Sequence, residues 1–278
     1  MTFYFSPQSL DRSKALAKTK VIGIGAHPDD LEFMCCQPIA RCQSDNSFAG
    51  LILTNGSGSS RSGSFAKCTD KEMISIRQKE QVEAAKLGNY SFIEMWELDS
   101  KSLKDTKQFS EWVSRIQFFI EEVKPKFLYT HNPFDRHLSH VIVCLATLEA
   151  LRNLPKEKRP KEIWGCEVWR SLDWLSYEKT QTKDLSQDES LQKNLVNVFK
   201  SQIDGAKNYS NAVIGRKCVN AVFRESHAVD KTKLAEVFLN LKPLVNSKVS
   251  LKLNLKKILD EYTAELMNFI EIYQPEKS

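Results

Sequence analysis

Apolar and polar positions come in blocks along the first half of this chain, and the period of the blocks switches repeatedly. Residues 21–26 form a short continuous apolar run that reads as a buried strand. Residues 31–42 are mostly apolar and read as a helix. A second strand, 48–54, ends in the Gly/Ser-rich run 55–64. Residues 71–87 mix Ile74, Ile76, Val82, Ala84, Ala85 and Leu87 with charges and stop at Gly88, which predicts a helix with its C-terminal signal. Residues 92–96 read as a third strand. Residues 109–123 read as an amphipathic helix with Trp112, Ile116, Phe119 and Ile120 at helical spacing. A fourth strand at 126–130 and a helix at 140–151 follow. Strands separated by helical patterns predict βαβ units. Right-handed crossovers then give a doubly wound, mostly parallel, Rossmann-like α/β sheet with helices on both faces.

The second half is less regular. Residues 153–162 read as a charged connection, 163–168 as a strand, 176–190 as an exposed polar loop, and 191–202 and 255–273 as helices. The expectation is one domain over 1–278. Its core, 1–152, carries the chemistry, and a smaller irregular extension, 153–278, shapes a pocket. Composition adds little: 41% apolar and 27% charged residues suit a globular chain of 278 residues. The formal charge of +5 comes from scattered residues, with no basic stripe to suggest nucleic acid. Seven cysteines without C-x-x-C spacing fit a reducing compartment. The first twenty residues lack the pattern of a signal peptide, and no apolar run reaches the roughly 18 residues of a membrane span. A soluble cytoplasmic protein is therefore expected.

The chemistry lies in two clusters. His27-Pro28-Asp29-Asp30 follows the first strand, with Glu32 just beyond, where open α/β sheets bind ligands. The second cluster, Thr130 to His140, follows the fourth strand. Of five histidines in the chain, three lie between 131 and 140 and a fourth is His27. His137 and His140, three apart at a helix start, share a face. In the common doubly wound order the first and fourth strands are neighbours, so the clusters meet in one crevice. Imidazole with carboxylate suits zinc, which in catalytic sites keeps three protein ligands and an open position. His27, one of the two aspartates and His140 would supply that set. The other aspartate would be free as general base towards a water that zinc acidifies to about 7. His137 would donate to an oxyanion or a leaving group.

These motifs resemble the PIG-L/LmbE family of zinc-dependent de-N-acetylases, whose pattern is an HPDD run with an acid just after it and a downstream H-x-x-H, here His137-Leu138-Ser139-His140. Leu53-Thr54-Asn55-Gly56 is similar to the family's strand end and Gly-rich loop, with Asn55 where Asp is usual. Arg77-Gln78-Lys79-Glu80, followed by Ala84 and Leu87-Gly88, resembles its R-x-x-E helix. The resemblance spans residues 20–150 well. It is looser beyond 160, where Trp169-Arg170, Ser201-Gln202-Ile203 and 215–227 carry it. It implies that Asp29 is the base and that His27, Asp30 and His140 hold one zinc, or another divalent metal, per subunit. His137 would assist the oxyanion or the amine, and Arg77 and Asp99 would hold the sugar. Glu32, His131 and Asp135 are further candidates around the site. His227 is the one C-terminal histidine available to enter it, from its own or a neighbouring subunit. A homo-oligomer, trimer or hexamer, is the corresponding expectation.

Each feature has a blander reading. An isolated His-Pro-Asp-Asp can be a turn with a helix cap, Glu32 a first-turn acid suited to the helix dipole, and Arg77 with Glu80 a solvated pair. Trp169 and Trp174 suit packing as well as sugar stacking. Together the clusters favour hydrolysis of an N-acetyl group from an N-acetylglucosamine-type small molecule. The alternatives are a non-catalytic binding module and an amidase acting on a non-sugar N-acyl group. A dinucleotide site is disfavoured because Gly23-Ile24-Gly25 lacks the third glycine of that fingerprint. The aglycone stays open.

Overall fold

The computed structural model describes residues 2–204, 208–223, 227, 229–246 and 248–274. Its strands are β1 (Phe3–Phe5), β2 (Val21–Gly25), β3 (Phe48–Thr54), β4 (Phe92–Leu98), β5 (Phe127–His131), β6 (Glu162–Cys166), β7 (Thr180–Asp184) and β8 (Ala235–Asn240). They form one sheet in the order β1-β4-β3-β2-β5-β6-β8-β7. Every pairing among β2 to β6 is parallel. The outer strands β1, β8 and β7 add on antiparallel. From β2 the chain winds outward through β3 to β4, then returns to β5 on the other side. The reversal falls between β2 and β5, which places the two chemical clusters side by side as expected. All of β2 and β3 is buried, because helices cover both faces of the parallel core. Gly50 in β3 allows the closest of these contacts: a Cβ there would come within 2.5 Å of both Leu31 and Ile93.

Several elements differ from the pattern read along the sequence. The apolar stretch 31–42 is two helices, Asp30–Met34 and Cys36–Cys42, broken at Cys35. Pro38 explains the break, since it has no N–H and its ring excludes the carbonyl four residues back from a continuing turn. The new helix start is capped from afar. Glu236 on β8 accepts from Cys36 N at 3.0 Å and Gln37 N at 2.9 Å, and its own partner is the buried Lys217. The stretch 176–190 contains β7, a polar strand paired only with β8. Polar residues there blunt a sheet edge. β1, β8 and the helices Arg12–Lys18 and Tyr209–Val222 had no clear signal in the sequence. Among the described residues, no helix is long and apolar enough to cross a membrane.

The Lys217–Glu236 pair therefore links the outer sheet to the helix Cys36–Cys42, which follows the short helix carrying the first cluster. Glu236→Ala is expected to lower stability by about 3–5 kcal/mol in urea unfolding, because it strands a buried ammonium and two helix N–H groups. Replacing both partners with methionine should recover much of that loss.

Candidate active site

Asp29 has φ 104° and ψ −27°, a left-handed backbone on a non-glycine residue. Such a conformation persists only where its surroundings over-determine it. Gln81 accepts the Asp29 N–H at 3.2 Å and donates to Glu32 Oε1 at 2.8 Å. Tyr90 Oη also donates to that Glu32 oxygen, at 2.7 Å. Arg77 lies beneath the turn, 1% exposed. It donates to the Pro28 carbonyl and to Asp29 Oδ2, and also bonds Glu80 and Ser201. Gly56, at φ +73°, leaves room for this arginine; a Cβ there would come within 2.8 Å of it.

Asp30 points the other way. Its Oδ2 accepts Ala26 N at 2.9 Å and His27 N at 2.7 Å. His27 Nδ1 lies 3.3 Å from Asp30 Oδ2, His140 Nε2 lies 3.2 Å from Asp30 Oδ1, and the two imidazole nitrogens are 3.2 Å apart. Imidazole nitrogens and a carboxylate gathered this closely are donors of the kind that hold a divalent metal ion. Among the described residues, two overlapping groups could hold a metal ion, His27 with His137 and His140, and Asp30 with His131 and His140. His131 Nδ1 and His137 Nδ1 are buried without a hydrogen-bond partner. Asp135 Oδ2 stands 3.5 Å from His140 Nδ1. The same carboxylate accepts His137 N at 2.9 Å and Trp169 N at 3.1 Å. It thus faces the side of His140 turned away from Asp30.

Charge separates the two aspartates. Burial pushes Asp29 above the ordinary carboxylate range, against the pull of Arg77. Burial would also raise Asp30, but the charges of His140, His131 and His27 hold it well below its ordinary value. Burial lowers His140 less than Asp30 and Asp135 raise it, to about 9. Burial and the neighbouring His140 push His131 and His137 each down to about 4. Burial raises Glu32 to about 7. That residue holds Gln81 and Tyr90 rather than facing the imidazoles.

A cavity of about 720 Å³ opens over the site, lined by His27, Asp29, Asp30, Arg77, His137 and His140 among others. Not every candidate reaches it. Asp99 is exposed and does not line this cavity, but lines a neighbouring pocket with Ser100 and Lys104. Its carboxylate caps the helix Ser100–Lys104, accepting from Lys101 N and Ser102 N at 2.8 Å. Two residues of that helix, Ser100 and Lys104, line the cavity instead. Arg77 does line it, yet its guanidinium is engaged by Asp29 and Glu80. His227 is exposed and does not line the cavity; its neighbours Arg224 and Glu225 lie outside the described residues. The sequence reading missed Gln81, one turn beyond Arg77 on the same helix face, and Tyr209, which faces Trp169 and Phe33.

Residues 22–151 match the PIG-L family, described as GlcNAc-PI de-N-acetylase. The uncharacterized deacetylase YaiS of Escherichia coli (strain K12) is 27% identical over 172 residues, 59% of this chain and 81% of YaiS. The N,N'-diacetylchitobiose deacetylase of Pyrococcus horikoshii superposes with a TM-score of 0.62 at 15% identity, over 84% of this chain and 87% of its own. GalB, the 4-carboxy-2-hydroxymuconate hydratase of Pseudomonas putida KT2440, superposes with a TM-score of 0.59 at 15% identity, over 84% and 100%.

Two outcomes follow from the charge pattern. Asp135→Asn should weaken metal binding about 10–100-fold in competition with a chromophoric chelator. In the metal-free protein the folded state raises His140 to about 9. The stability this gives is fully present below about 6.5, the unfolded value, and is lost as pH rises through 9. Thermal unfolding of chelated protein across that window should show the decline.

Proposed function

We propose that this chain is a zinc-dependent hydrolase that removes the N-acetyl group from an N-acetylglucosamine-type conjugate. The observation that carries the reading is the division of labour between adjacent aspartates. Asp30 turns into the imidazole cluster, whereas Asp29 is held out of it by Arg77 and a strained backbone. His27, Asp30 and His140 would hold the ion. Zinc in that set supplies an acidified water and a positive charge for the carbonyl oxygen.

Asp29 receives one proton from the attacking water. The water oxygen bonds to the amide carbon, the C–N bond breaks, and acetic acid leaves, giving its remaining proton to solvent to become acetate. The proton on Asp29 passes to the departing nitrogen, which becomes the free amine. His137, on the cavity side of His140, donates to the carbonyl oxygen as negative charge develops there. Asp135 and His131 position His140 and Asp30, and Glu32 positions Asp29 through Gln81. The PIG-L family match and the deacetylase relatives support the same class of reaction.

The test pairs metal analysis with turnover. Purified protein should contain zinc and release acetate from N-acetylglucosaminides, and a chelator should abolish the release. Asp29→Asn should keep zinc and lose about 10²–10⁴-fold in kcat, the range for a general base. His140→Ala should lose zinc. A fully active Asp29→Asn variant would refute the assignment of the base.

A further inference from the structure

The wall of the cavity opposite the sheet end is one face of the helix Tyr209–Val222. Tyr209, Ala212, Val213, Arg216, Lys217 and Asn220 all line it, at spacings of three and four. The N-terminal end of this face adjoins the site: Tyr209 packs against Phe33 at 5.5 Å and Trp169 at 6.1 Å between ring centroids, and Trp169 stacks on His137 at 6.3 Å. Burial, and after it the charge of Asp29, raise the Tyr209 hydroxyl against the pull of Arg77.

Two cations of this cavity are closely ion-paired, whereas Arg216, half-buried with its charge felt by Glu167, is not. Arg77 is matched by Asp29 and Glu80, and Lys217 by Glu236. Arg216 makes no hydrogen bond or ion pair among the described residues, and its Nη1 is buried without a partner. The acids near it are occupied. Glu167 accepts Leu172 N at 2.5 Å on one oxygen and Asn220 Nδ2 at 2.6 Å on the other. Glu236 is held by Cys36 N, Gln37 N and Lys217. A buried guanidinium nitrogen left unpaired costs free energy that an incoming oxygen would recover.

We propose that Arg216 is a specificity-determining residue that binds an anionic group, carboxylate or phosphate, on the substrate, about 10 Å along the helix from Tyr209 at the reacting end. This rests on the deacetylase reading and narrows it: the substrate is an acidic amino-sugar conjugate, with its acetamide at the imidazole cluster and its anion at Arg216. The planar fork of arginine suits two-point contact with either anion. The cavity volume of about 720 Å³ lies within the roughly 300–1,000 Å³ that encloses a whole small ligand.

Zinc-loaded protein would be assayed for acetate release from N-acetylglucosamine 1-phosphate, N-acetylglucosamine 6-phosphate, N-acetylmuramic acid and the neutral methyl N-acetylglucosaminide. At least one acidic probe should exceed the neutral one in kcat/KM by about tenfold, the scale of one charged hydrogen bond. Arg216→Gln should collapse that ratio mainly through KM, and Arg216→Lys should restore part of it. A wild-type ratio near one, or a ratio that Arg216→Gln leaves unchanged, overturns the inference while deacetylation stands. If no probe releases acetate, the deacetylase reading fails instead. Binding of glucosamine 1-phosphate and glucosamine 6-phosphate to metal-free protein, followed by tryptophan fluorescence, then decides on Arg216. Weaker binding by Arg216→Gln supports its role, and equal or undetectable binding by both proteins rejects it.

Discussion

Asp30 is 2% exposed, and both its oxygens are occupied from several directions. Backbone N–H groups of Ala26 and His27 fix one oxygen. His27, His131 and His140 crowd the carboxylate within 3.3 Å. A charge so deeply buried is tolerable only when paired, and here its partners come from two segments about a hundred residues apart in sequence. β2 and β5 must be adjacent for that pairing to exist, and the parallel register that sets Ile24 beside Thr130 makes them so. The switch point of the sheet and the imidazole cluster are thus one constraint seen at two scales.

Asp29 depends on the same turn but is governed by the opposite requirement. It must stay out of the cluster its neighbour joins, and a left-handed backbone turns it away. The arginine that resembles a family sugar contact is committed beneath this turn. Arg77 thereby balances the burial of Asp29, which alone would favour the neutral acid. A carboxylate whose proton affinity is set by two opposing terms suits the base proposed for this site. Glu32, Gln81 and Tyr90 form a hydrogen-bonded chain that holds the backbone where this balance applies.

The first half of the fold was legible because each element carries its own period and each cluster sits at a strand end. His27, Asp29, Asp30, His137 and His140 needed only the rule that β2 and β5 are neighbours. What stayed hidden depends on pairings that no local pattern announces. β8 joins β6 antiparallel after a long excursion, so its register is a tertiary result. Glu236 caps a helix two hundred residues earlier in the chain, and nothing in the sequence near Cys36 points to it. The fate of Asp99 shows the converse limit. Its position after a strand fits a ligand contact, but Asp before a short polar helix fits a cap equally well, and the local backbone took it.

A hydratase and a deacetylase both share this fold with the chain, so topology alone does not choose the reaction. The choice rests on side chains at the ends of β2 and β5, which lie within the matched PIG-L region. The far wall of the cavity comes mostly from residues beyond 160, including Trp169, Tyr209 and Arg216, where the family likeness is weakest. These two sources of the cavity are joined through the buried Lys217–Glu236 pair and the cap it supports on the helix Cys36–Cys42. The outer wall can therefore change its lining residues without disturbing Asp30 and its imidazoles, provided that link is kept. On the proposed function, this separates the conditions for chemistry, set in the parallel core, from those for recognition, set on the outer wall of the cavity.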